Sequence, residues 1–200
     1  MQGVNRYHAD RWTTFTAAEH GVPPGLVRAL AVDPQRQRAW LGTTLGAVGY
    51  WDGTDFVAAF NGSDWDSRCI LHLFVDREGR LWIGTEGAGV ACYDGADLRL
   101  YTTADGLGGD RVLHVGQNRQ GHLVFCTQGG GVTFFDGEVL QTLSARDGLT
   151  SDVVKDFLQD EDGAYWFATH HGLTHYRPSE RGPQVRLTEI IADQAYQPPF

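Results

Sequence analysis

Leu81-Trp82-Ile83-Gly84-Thr85, followed by Gly89-Val90 and Tyr93-Asp94-Gly95, is a pattern that returns along the whole chain. Its counterparts put Trp40, Val124 and Trp166 at the place of Trp82, so the anchors stand at 40, 82, 124 and 166, 42 residues apart each time. Self-similarity at a fixed period of roughly 40–45 residues, with a β-prone anchor in each unit, predicts a propeller or a similar array. The expected fold class is all-β: a β-propeller of four-stranded antiparallel blades, about four to five of them present.

Each unit can be taken apart into strands and turns. A first strand recurs at 27–33, 70–76, 112–118 and 154–160, ending at Asp33, Asp76, Asn118 and Asp160. The turns that follow, such as Asp76-Arg77-Glu78-Gly79, suit a hairpin because a carboxylate caps backbone amides and glycine takes positive φ. The second strand carries the anchor and ends at Thr43, Thr85, Thr127 or Thr169. A third ends at Tyr50, Tyr93, Phe135 or Tyr176, and Asp-Gly pairs at 52–53, 94–95 and 136–137 turn the chain outward. A fourth strand precedes Asp105-Gly106-Leu107 or Asp147-Gly148-Leu149, the link to the next unit. No helical periodicity is visible.

These assignments divide the chain. Residues 1–177 are expected to form propeller repeats, with a partial blade at 1–16 and units at 27–60, 69–102, 112–143 and 154–176. Gly3-Val4-Asn5-Arg6-Tyr7 matches Gly172-Leu173-Thr174-His175-Tyr176, so the chain opens inside a blade and reads as a piece of a larger ring. A closed four-bladed ring is the competing arrangement. Residues 178–200 read as a linker followed by the start of a β-sandwich. Open terminal blades would present apolar faces and favour self-association.

Composition narrows the function. Lys+Arg 16 against Asp+Glu 25 gives a net charge of −9, which argues against attraction to nucleic-acid phosphates or anionic lipid. Cys69, Cys92 and Cys126 lie inside apparent strands without metal-type spacing and read as small buried residues. No run approaches the roughly 18–20 apolar residues of a membrane span, and no signal-peptide core follows Met1. No cofactor or metal is expected. Asp160-Glu161-Asp162-Gly163 lacks the distal glutamate of a calcium loop, and Gly129-Gly130-Gly131 joins strand to strand, where a phosphate loop would lead into a helix.

The units 81–95 and 101–107 resemble the two-component-regulator propeller repeats of bacterial sensor proteins, and the likeness extends over about residues 3–176. The resemblance implies a non-enzymatic ligand-sensing ectodomain, periplasmic or extracellular, that relays binding of a small polar ligand such as an oligosaccharide through a following β-sandwich to a histidine kinase output. The stretch from Pro183 to Ile190 resembles the entry to that sandwich. Two alternatives stand beside it. Streptogramin-lyase-like propellers share a Gly-x-x-Trp-Phe strand, here Gly163 to Phe167, with His72 or His114 as a channel base. A protein-interaction scaffold is the other.

Candidate ligand residues come from two places. The third position of each first strand holds Ala29, His72, His114 and Asp156, nearest the expected axis. On the face where the links open, the consensus is broken by Trp65, Arg68, Glu86, Asp110, Arg111, Gln128, Asp152, His170 and His171. Trp65 reads as an exposed platform for stacking on a sugar ring, with a plug between blades as the competing role.

Overall fold

The computed structural model describes residues 3–65 and 69–178, and the backbone of 186–191. A hairpin of β1 (Gly3–His8) and β2 (Arg11–Thr16) opens the chain, closed by one helical turn, α1 (Ala17–His20). Four antiparallel sheets follow in sequence order. The first is β3 (Val27–Asp33), β4 (Arg38–Thr43), β5 (Val48–Trp51) and β6 (Phe56–Phe60). The second is β7 (Ile70–Val75), β8 (Leu81–Thr85), β9 (Val90–Tyr93) and β10 (Leu98–Tyr101). The third is β11 (Val112–Gln117), β12 (Leu123–Thr127), β13 (Val132–Phe135) and β14 (Leu140–Leu143). The fourth is β15 (Val154–Gln159), β16 (Tyr165–Thr169), β17 (Gly172–Arg177) and β18 (Arg186–Ile191).

Strands β3, β7, β11 and β15 neighbour one another in turn, so the sheets stand as blades around a common axis in an open arc. The opening hairpin leans on the first complete blade through Phe15, whose ring lies 4.6 Å from Trp51 and 5.7 Å from Phe56. It forms a two-stranded sheet of its own. Among the described residues the row does not close: Leu30 and Val32 are 63% and 70% exposed at one end, and Leu158, Trp166 and Leu173 line an uncovered surface at the other.

Each of the three seams between complete blades holds one apolar cluster. Trp40 and Ile83 meet in the first, Trp82 and Phe125 in the second, Val124 and Phe167 in the third. Alternation along β8 explains this: Leu81 and Ile83 face the preceding blade while Trp82 faces the following one. Trp82 Nε1 donates to Asp76 Oδ2 at 2.7 Å, and Trp166 Nε1 donates to Asp160 Oδ2 at 3.1 Å. Where the anchor is Val124, the strand-ending residue is Asn118, whose amide replaces the carboxylate, and its Nδ2 donates to Tyr165 Oη at 2.8 Å. The anchor and the residue that ends the first strand change together because one satisfies the other.

Both rims of the second and third seams are tied by hydrogen bonds that repeat with the blades. On the hairpin rim Arg77 Nη1 donates to the Arg119 carbonyl at 3.1 Å, and Arg119 Nη1 to the Glu161 carbonyl at 2.9 Å. On the opposite rim the Asp110 carbonyl accepts from Gly87 N and Gly89 N, and the Asp152 carbonyl accepts from Gly129 N and Gly131 N. Gly89 and Gly131 are required there. Both hold positive φ, and a Cβ on either would collide with the carbonyl of the fourth strand's last residue, Tyr101 or Leu143.

The structure amends three expectations. Arg186–Ile191 pairs antiparallel with β17, Leu173 opposite Ile191 and Arg177 opposite Arg186, and takes the fourth-strand place in the last blade, where the sequence reading starts a separate sandwich. An unpaired edge on β17 exposes a ladder of amides and carbonyls that a β-prone segment satisfies. Secondly, single 3₁₀ turns at Gly62–Asp64, Thr103–Asp105 and Ala145–Asp147 precede the inner strands. Asn61, Thr102 and Ser144 cap them reciprocally with the aspartate three residues on.

The third concerns Trp65, which is 3% exposed. It belongs to the first seam cluster just as Leu107 and Leu149 belong to the second and third, so it is the plug and not a surface platform. The physical reason is its place directly after the 3₁₀ turn, which feeds the side chain into the seam beside Phe60, ring centroids 5.4 Å apart. Cys92 and Cys126 sit in the second and third seams, and burial pushes the Cys92 thiol up to about 11. Trp65→Ala is expected to lower stability by about 3–5 kcal/mol in urea unfolding. A loss below about 1 kcal/mol would mean that the indole is not seated in the seam.

Candidate functional site

Every inner strand begins with the same irregularity. The pairing register with the second strand slips between Val27 and Ala29, Ile70 and His72, Val112 and His114, and Val154 and Asp156. The extra residue of each bulge is Arg28, Leu71, Leu113 or Lys155. A β-bulge re-aims a side chain that regular pleating would send elsewhere. All four line one cavity of about 440 Å³. Gln128 and His170, from the links that follow the second strands, and Val153, just before β15, complete its wall. The cavity therefore lies on the rim where chain direction reverses toward the inner strands, the rim that the sequence reading selects for ligand contacts.

Geometry sorts the expected residues. Gln128 and His170 line the cavity, and their backbones are fixed within their own blades, where they extend the pairing of second strand with inner strand: Gln128 N donates to the Arg111 carbonyl, and His170 N to the Val153 carbonyl, both at 2.9 Å. His171 is exposed beside it, its ring 5.1 Å from that of His170. Glu86 and Arg111 bond to each other, Arg111 Nη2 to Glu86 Oε1 at 2.7 Å, and so bridge the second seam. The carboxylates of Asp110 and Asp152 accept from the Thr103 and Ala145 amides, which anchor the 3₁₀ turns; both aspartates serve the rim. Arg68 lies outside the described residues. Trp65 is buried, as above.

The third-position residues form a second, connected row. Val115 N–H of β11 donates to His72 Nδ1 of β7 at 3.2 Å, and the His72 and His114 rings stand 4.3 Å apart. His114 Nδ1 lies 3.3 Å from Asp156 Oδ1 of β15. One line of contacts thus ties three inner strands. Burial, and then the neighbouring His114, push the His72 imidazole down to about 4; burial also lowers His114, which Asp156 partly offsets. Both rings are neutral at pH 7, which suits a packed pair better than a proton carrier. Among the described residues no group of His, Cys, Asp and Glu is arranged to hold a metal ion, and no helix is long and apolar enough to cross a membrane.

The four cavity residues from the bulges escape sequence reasoning. Their positions are equivalent in the repeat, yet a bulge leaves no mark in a pattern of alternating residues, and two of the four are leucines.

With this geometry in hand, comparison with known proteins is informative. The family described as "Two component regulator propeller" matches residues 64–87 and 148–171, each stretch running from the link before an inner strand through the second strand. The chain is similar in fold to the extracellular domain described for a hybrid two component system of B. thetaiotaomicron, at 18% identity and a TM-score of 0.70, covering 89% of this chain and 25% of that one. PorZ, a surface component of the type-IX secretion system of Porphyromonas gingivalis, gives 14% identity and a TM-score of 0.60, with 82% and 27% covered. Virginiamycin B lyase from Staphylococcus aureus gives 15% and 0.61, with 82% and 56% covered. The chain thus spans about a quarter of the sensor ectodomain that it resembles. No curated protein matches the chain significantly.

The His72 environment makes stability depend on pH. Its folded value lies below the ordinary 6.5, so at lower pH the unfolded chain takes up a proton that the fold resists. The contribution is complete above pH 6.5 and is lost as pH falls toward about 4. His72→Gln keeps an acceptor for Val115 N–H and is expected to flatten the fall in stability between these values, by on the order of 1–3 kcal/mol at the acid end. Parallel curves for the two proteins in pH-dependent thermal unfolding would contradict this placement of His72.

Proposed function

We propose, from the match of residues 64–87 and 148–171 to two component regulator propeller repeats, that the chain is a ligand-sensing part of a bacterial signal-transduction sensor, outside the cytoplasm, binding a small polar ligand such as an oligosaccharide. In this reading the longer protein passes occupancy of the site to a histidine kinase output. The observation that carries it is the cavity at the inner-strand bulges: each of the four complete blades contributes its bulge side chain to it, so a ligand there would touch every complete blade at once. Binding energy would then act on the seams between blades, the parts of the array able to shift as rigid units. The apolar faces left uncovered at both ends of the arc would be covered by further blades of the longer chain or by a second copy.

A lyase is the second reading, favoured by the likeness to virginiamycin B lyase. Two features weigh against His72 as its base: the ring already accepts a backbone amide, and a conjugate acid of about 4 makes a weak base at neutral pH. His114 is engaged by Asp156.

The test is isothermal titration against a panel of small polar ligands, oligosaccharides included. Joint Gln128→Ala and His170→Ala substitution is expected to weaken a bound ligand about tenfold or more while the melting temperature stays within a few degrees. Binding unaffected by this pair would place the site elsewhere, and turnover of a streptogramin would replace sensing with catalysis.

A further inference from the structure

The four bulge residues occur along the arc in the order Arg28, Leu71, Leu113, Lys155. Cations come from the first and fourth complete blades, and two leucines lie between them. Several other cations are engaged: Arg36 with Asp33, Arg80 with Asp76, Arg111 with Glu86, and Arg77 and Arg119 with carbonyls across the seams. Arg28 and Lys155 have no carboxylate partner among the described residues. In a chain of net charge −9 they stand as two unneutralised cations in one concave site.

From this arrangement we infer that the cavity takes a ligand with two anionic groups separated by an apolar stretch, of the class of the linear dicarboxylates. The inference rests on the sensing reading given above and adds the charge and shape of what is sensed. Arg28 offers a planar guanidinium suited to bidentate pairing with a carboxylate, and Lys155 a point charge for the second. Leu71 and Leu113 give the intervening methylenes a surface that a uniformly hydroxylated ligand would not use. Gln128 and His170 remain on the wall to fix orientation. The bulges make the site specific, because each holds its side chain on a strand of the inner row and not on a loop.

Titration with dicarboxylates from succinate to suberate tests it. One chain length is expected to bind best, with affinity falling as salt rises. Arg28→Ala and Lys155→Ala are each expected to weaken it about tenfold or more, and Arg28→Lys with Lys155→Arg to retain most of the binding. Both residues are exposed, so thermal unfolding of each variant should match the parent and separates loss of a contact from loss of the fold. Neutral oligosaccharide binding lost on Gln128→Ala, together with no dicarboxylate binding, would overturn the inference and leave the sensing reading standing. Dicarboxylate binding that ignores both substitutions would overturn it as well. Absence of binding by either ligand class would remove the inference and the sensing reading together.

Discussion

The seam between neighbouring blades is the constraint on which the rest depends. A four-stranded sheet with apolar residues on both faces has no stable existence alone, and the second and third blades here each bury one face against the blade before and the other against the blade after. Trp82 is 1% exposed because it belongs to the third blade's core as much as to the second's. Burial of a side chain of that kind contributes about 1.5–3 kcal/mol, and each seam gathers several. Hydrogen bonds then fix what apolar packing leaves free, the angle and height at which one blade meets the next. Arg77 and Arg119 set it on one rim, and the Asp110 and Asp152 carbonyls on the other.

This division of labour gives the cavity its properties. The glycines at 87, 89, 129 and 131 spend their amides on the next blade's aspartate carbonyl. The links they belong to are therefore held in place, and Gln128 is carried on a fixed backbone. Beneath the rim, the bulges turn Arg28, Leu71, Leu113 and Lys155 inward, and the row of His72, His114 and Asp156 connects three inner strands. A ligand in the mouth bears on seams whose apolar clusters are separate from one another, so the response available to the array is a small change of blade against blade.

Much of the fold was legible because its causes are periodic. The 42-residue spacing of Trp40, Trp82, Val124 and Trp166 follows from equivalent places in equivalent seams. The site was less legible. Gln128 and His170 stood out as polar residues in links, where departures from the repeat are visible. Glu86 and Arg111 stood out for the same reason and proved to satisfy each other across a seam, which no single-residue reading distinguishes. Trp65 looked like a departure in role and is not one, since it fills the seam as Leu107 and Leu149 do. Arg28 and Lys155 were hidden by a register slip that exists only once two strands are paired.

Residue-resolved amide hydrogen exchange tests the central claim, that backbone clamps and apolar plugs weld successive blades into one cooperative array. The account predicts that the amides of Gly87, Gly89, Gly129 and Gly131, although they lie in links, are protected to the same free energy as those of the inner strands, because both open only when a seam opens. Exchange of these four amides at the rate of the outer Asp-Gly turns, with the inner strands still protected, would contradict it.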